Sequence, residues 1–79
     1  MNPRSLVSYS VGYPISTTIR VYDVTGKVVC TLHAGELSGS GSAYWEGTDG
    51  AAAELAGGLY FIRIITPGFS RTAKVVLLH

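Results

Sequence analysis

A single cysteine in 79 residues leaves no partner for an intrachain disulfide, and no Cys/His spacing resembles a structural zinc site. Apolar packing alone has to hold the fold. Charge is scarce too: five acids and six bases make up 14% of the chain and leave a formal net charge of +1. That balance gives no electrostatic case for nucleic acid or for an anionic membrane surface as partner. No apolar run is long enough to span a bilayer. Met1-Asn2-Pro3-Arg4 is not followed by the apolar core of a signal peptide, because Ser5, Ser8 and Ser10 interrupt it. The chain reads either as cytoplasmic or as a piece of a longer secreted protein. No stretch sustains an apolar period of 3.6, which removes long amphipathic helices. Even Ala51-Ala52-Ala53-Glu54-Leu55-Ala56 lies between glycine-rich turns and is too short to nucleate without a packed face. A loop with at most one helical turn is expected there.

What is present is strand chemistry, with a hydrophobic content of 47%. Residues 57–66, Gly-Gly-Leu-Tyr-Phe-Ile-Arg-Ile-Ile-Thr, give the strongest signal, a β-branched and aromatic run opened by two glycines. A period of two puts Leu59, Phe61, Arg63 and Ile65 on one face and Tyr60, Ile62 and Ile64 on the other. Such a strand is expected at the centre of a sheet, covered at least in part on both faces. Pro67-Gly68 then turns the chain into a strand over 70–78, making a C-terminal hairpin. Upstream, residues 6–11 alternate Val7, Tyr9 and Val11 with Ser8 and Ser10 before Gly12-Tyr13-Pro14 breaks the pattern. Residues 16–24 alternate again, and 28–32 return as their partner across Asp23-Val24-Thr25-Gly26-Lys27, where Gly26 supplies the positive φ of a tight turn. Residues 36–42 are expected as a flexible connection to a short strand at 43–46, and Gly47-Thr48-Asp49-Gly50 as another turn. Short strands at close intervals predict an all-β domain over 1–79, an antiparallel β-sandwich of six or seven strands with Greek-key connections.

The candidate residues read mostly as structural. Trp45 and Tyr60 are the large core anchors, and the Tyr60 hydroxyl is suited to tie a loop as a tyrosine corner does. Asp23 is expected to cap its turn by accepting amide hydrogen bonds. Glu46, Thr48 and Asp49 bring oxygen atoms together, but a calcium loop needs more carboxylates at fixed offsets, so turn capping is the reading here too. His33, His79 and Cys30 are too scattered for a metal or a nucleophilic triad. No catalytic residue, metal or cofactor is assigned, and the chain is read as non-enzymatic.

Three blocks stand in order: Ile19-Arg20-Val21-Tyr22-Asp23-Val24-Thr25-Gly26-Lys27-Val28-Val29 with Leu32; Trp45-Glu46-Gly47-Thr48-Asp49; and Gly58-Leu59-Tyr60-Phe61 with Lys74-Val75-Val76-Leu77-Leu78. Together they resemble the C-terminal sorting domain of type IX (Por) secretion cargo and the related Ig-like domain of the flagellar hook-capping protein. The resemblance covers nearly the whole chain. It implies an Ig-like sandwich held by Asp23, Gly26, Trp45, Gly47, Asp49, Gly58 and Tyr60. It also implies a recognition signal in Lys74, Val75, Val76, Leu77, Leu78 and His79. The implied role is an address: the tail of a longer precursor, behind an upstream cargo domain, recognised by outer-membrane secretion machinery and delivered to the medium or the cell surface. The second relative implies instead a structural module acting by packing or self-assembly, as would an accessory domain of an extracellular enzyme. Departures fall at Arg4, where the family has an aromatic; at Ala52, where it has glycine; and at His79, where it ends in Arg or Lys. The family's apolar positions match Val28, Val29 and Leu32, which requires a bulge and leaves Cys30 partly exposed. An edge strand at 74–78 would let a partner add a strand, and a homodimer through that edge is a further expectation.

Overall fold

Two reversals organise the chain. At the first, the backbone N–H groups of Thr25 and Lys27 donate to Asp23 Oδ1 at 2.9 and 3.1 Å, and Gly26 takes a φ of 87°. At the second, Thr66 N donates to Phe69 O at 2.8 Å while Phe69 N donates to Thr66 Oγ1 at 3.1 Å. In the computed structural model, which describes residues 5–78, these turns join four antiparallel strands. They are β1 (Ser5–Tyr22), β2 (Val28–Trp45), β3 (Gly58–Ile65) and β4 (Ser70–Leu77), in the spatial order β2-β1-β3-β4. β3 lies between β1 and β4, as its two-faced apolar pattern predicts.

The all-β class is borne out, but the strand count and connections differ from expectation. Four strands replace six or seven, because the predicted breaks inside the first hairpin are bridged by one continuous ladder. Residues 12–14 stand opposite Ser38 alone, a bulge that absorbs Gly12-Tyr13-Pro14 without ending the strand. Residues 36–42, expected as a flexible connection, lie within β2. Two hairpins side by side also differ from the 4-1-2-3 order of a four-stranded Greek key. Residues 51–56 form a loop.

The first hairpin cannot be straight. Eighteen extended residues would span about 60 Å, whereas the longest dimension of the molecule is 37 Å. Bulges bend strands, and the long bulge at 12–14 divides the ribbon into two halves. Trp45, paired with Ser5 at the far end of the ribbon, nevertheless packs edge-on against Tyr60 of β3, with ring centroids 5.1 Å apart and planes at 62°. The far half is therefore folded back over the face that carries Ile19, Val21 and Ile62. Those residues, with Trp45, Tyr60 and Leu77, form the buried core. Two further bulges leave Val29 and Leu32 as extra residues on β2. As a result Val29, Cys30 and Leu32 all pack against the core while Val28 stays exposed, and Cys30 is only half-buried.

Candidate recognition site

β4 is an edge strand built from an alternation. Val75 and Leu77 point into the core, Leu77 only 1% exposed, whereas Lys74, Val76 and Leu78 face outward. Val76 and Leu78 are about half exposed, at 49% and 48%. The six-residue signal implied by the resemblance thus divides into two packing residues and three presented ones, and His79 lies outside the described residues. Pairing with β3 runs from Gly58↔Leu77 to Ile65↔Ser70, so the strand is held along one side for its whole length. Among the described residues no strand pairs with its other side.

The loops that support this strand are tied by the residues the sequence marks as structural. Tyr60 OH donates to Ala56 O at 2.7 Å, and Trp45 Nε1 donates to Thr48 O at 2.9 Å. Gly47 O accepts from Leu55 N at 2.9 Å, and Gly58 opens β3 opposite Leu77. Asp49 repeats the geometry of Asp23 atom for atom. Its Oδ1 accepts from Ala51 N and Ala53 N at 2.8 and 3.0 Å, its N–H donates to Ala53 O at 2.9 Å, and its carbonyl accepts from Ala52 N at 3.1 Å. The corresponding backbone bonds in the first turn are Asp23 N to Lys27 O at 3.0 Å and Gly26 N to Asp23 O at 3.1 Å. In both turns the fourth residue is left-handed: Gly26 in one, Ala52 with φ 65° in the other. Gly50 N donates to Val29 O at 3.1 Å and docks the second turn on β2. Sequence reasoning reads each aspartate separately as a cap. The repeat emerges only when the backbone bonds are compared.

Electrostatics follow from these contacts. The Thr25 hydroxyl, 2.6 Å from Asp23 Oδ1, does most to hold the Asp23 carboxyl below its ordinary value of 3.8, with the Lys27 and Thr25 amides and the Lys27 charge adding to it. Burial pushes the Cys30 thiol up, and the negative charge of Asp49 pushes it the same way. Among the described residues no group of three or more His, Cys, Asp or Glu side chains converges as metal ligands. A groove of about 490 Å³ opens between the folded-back ribbon and the sheet. Its floor includes Val11, Ile19, Leu37 and Ile64, and among the described residues that line it Arg71 is the charged one. Among the described residues of that lining there is no carboxylate, imidazole or thiol.

The outer face of β1, β3 and β4 is a feature that sequence reasoning missed. Tyr22 stands opposite Phe61 and Arg20 opposite Arg63. Lys74 stands opposite Phe61 on the next strand. Period two places each of these residues on a face, but only the register reveals which ones meet. Comparison of the chain with protein-family models, with curated proteins and with solved structures finds no match in any of the three.

Proposed function

We propose that this chain is a non-catalytic recognition domain, the C-terminal address of a longer secreted bacterial protein. Outer-membrane secretion machinery reads it and delivers an upstream cargo domain to the medium or the cell surface. The observation that carries this reading is the terminal strand itself: β4 sits at the sheet edge and presents Lys74, Val76 and Leu78 while Val75 and Leu77 anchor it. Recognition by strand addition needs this arrangement, since an unpaired edge supplies backbone hydrogen bonds and alternate side chains supply selectivity. The Asp49 turn supports the resemblance behind the proposal. Ala52 is left-handed at the position where the family carries glycine, as expected for a family backbone retained after its glycine was replaced. The folded-back ribbon, which lays a second layer over the β1–β3 face, supports an Ig-like sandwich as the finer description.

The test is export of a fluorescent reporter carrying a signal peptide and this chain, in a bacterium with an intact type IX system. Deleting residues 74–79 removes Leu77 from the core as well as the signal, so substitutions on the presented face are the cleaner probe. Val76→Glu and Leu78→Glu are expected to retain a folded domain and to leave the reporter in the periplasm. If the folded parent chain fails to export the reporter, the address reading falls and the structural-module reading becomes the better one.

A further inference from the structure

Half of the six cations of this chain stand together on one sheet face, and no acid stands with them. Arg20 and Arg63 are directly opposite across β1 and β3, and Lys74 on β4 is the diagonal neighbour of Arg63. Like charges directly opposite destabilise a sheet. The five acids lie elsewhere: Asp23, Glu46, Asp49 and Glu54 in the segments between strands, and Glu36 on β2 opposite Ser16. Among the described residues none of the three cations is held in an ion pair, and Arg63 reaches only the Ser70 hydroxyl, at 3.5 Å. Beside this patch lies the open side of β4. A strand added there would carry every second side chain onto the same face, next to Lys74 and one strand away from Arg63.

We propose that the partner of β4 is an acidic, extended polypeptide segment, which pairs with the strand and turns alternate Asp or Glu side chains over Lys74 and Arg63. The location rests on the reading of β4 as the recognised strand; the chemistry of the partner is new to it. A second copy of this chain fits less well, because Arg71 and Lys74 are the only charges on β4. In a fully overlapped antiparallel pair of β4 strands, Lys74 lies diagonal to the Arg71 of the second copy. An anionic lipid surface satisfies the cations but makes no use of the open edge. An acidic strand satisfies both, and complementary charge fixes its register and speeds its encounter.

The experiment is fluorescence anisotropy on the full chain with a labelled peptide, Thr-Val-Glu-Val-Asp-Val-Thr. Controls are the same peptide with lysine in place of both acids, and one N-methylated at alternate backbone positions. Saturable binding of the acidic peptide is expected, weakened at least tenfold by Arg63→Glu or Lys74→Glu. Lys27→Glu, the same charge change in a turn, should leave it unaltered. The lysine peptide should bind the double reversal Arg63→Glu/Lys74→Glu. If a reversal proves unfolded by circular dichroism, Arg63→Gln and Lys74→Gln are expected to weaken binding in its place. Equal binding of the N-methylated peptide, or tighter association with phosphatidylglycerol vesicles than with the peptide, would overturn the proposal, as would no binding at low salt. Dimerisation in sedimentation that the acidic peptide fails to displace would also overturn it. A chain that exports the reporter but ignores the peptide sinks this inference alone. One that binds the peptide but fails in export sinks the address reading alone.

Discussion

At the scale of single residues, the two aspartate turns are the most informative feature, because they hold the same geometry with different residues. A left-handed conformation costs an L-residue about 1–2 kcal/mol, offset in part by the greater unfolded-state entropy of glycine. Ala52→Gly is therefore expected to stabilise the domain by about 0.5–1 kcal/mol, a rise in Tm of about 2–8 °C by calorimetry. Gly26→Ala should lower Tm by a similar amount, and no change in either variant would contradict the left-handed assignment. Asp23 also makes stability depend on pH. Its folded pKa is lowered, so the stabilisation is complete above the unfolded value near 3.8 and is lost as pH falls through the folded value. Asp23→Asn keeps the acceptor oxygen without the charge. Its deficit in Tm relative to the parent should be constant at neutral pH and shrink below about pH 4. For Cys30, half-buried and with its thiol pushed up, alkylation by iodoacetamide near neutral pH should be much slower than in the urea-unfolded chain. Asp49→Asn, which removes the second cause, should speed it.

At the scale of elements, β4 does two jobs with alternate residues, and they are separable. Leu77→Ala empties a buried site and should cost about 2–5 kcal/mol in a urea titration. Val76→Lys changes an exposed residue and should stay within about 0.5 kcal/mol of the parent. Equal destabilisation by both would mean that β4 is packed on both faces. Tyr60 shows how an element is fastened to its neighbour, since its ring packs on Trp45 and its hydroxyl holds Ala56 O. Tyr60→Phe isolates the hydroxyl and should cost about 0.5–1.5 kcal/mol. In β2 a cross-strand fit of another kind appears: a Cβ at Gly41 would sit 2.7 Å from Cζ of Tyr9, so the Tyr9 ring lies over a position kept bare for it.

At the scale of the whole molecule, stability is distributed unevenly. β3 is paired on both sides and carries Tyr60 and Ile62 into the core, whereas the far half of the ribbon exposes Ser8, Ser10, Ser38, Ser40 and Ser42. Segments with few buried contacts open at lower free energy. In hydrogen exchange the amides of β3 should be the last to exchange and those of residues 38–42 among the first. If the ribbon half were protected as long as β3, Trp45 would be anchoring that layer more firmly than its local burial implies.

The local pieces were legible in the sequence because their causes are local. The caps at Asp23 and Asp49, the turn at Pro67-Gly68, the two-faced strand at 58–65 and the inward Trp45 and Tyr60 follow from side-chain chemistry within a few residues. Loop chemistry at 51–56 was legible too. Strand continuity was not: Gly12-Tyr13-Pro14 and the serine-glycine run at 36–42 read locally as breaks, and only cross-strand pairing carried β1 and β2 through them. The bend of the ribbon, the repeat of one turn in another and the meeting of Arg20 with Arg63 depend on register between residues far apart in the chain. The sequence by itself determined which residues seek burial and where the chain can reverse. Only the tertiary structure decided which of them meet, because a ladder's register is set by the sum of many long-range pairings and not by any one residue.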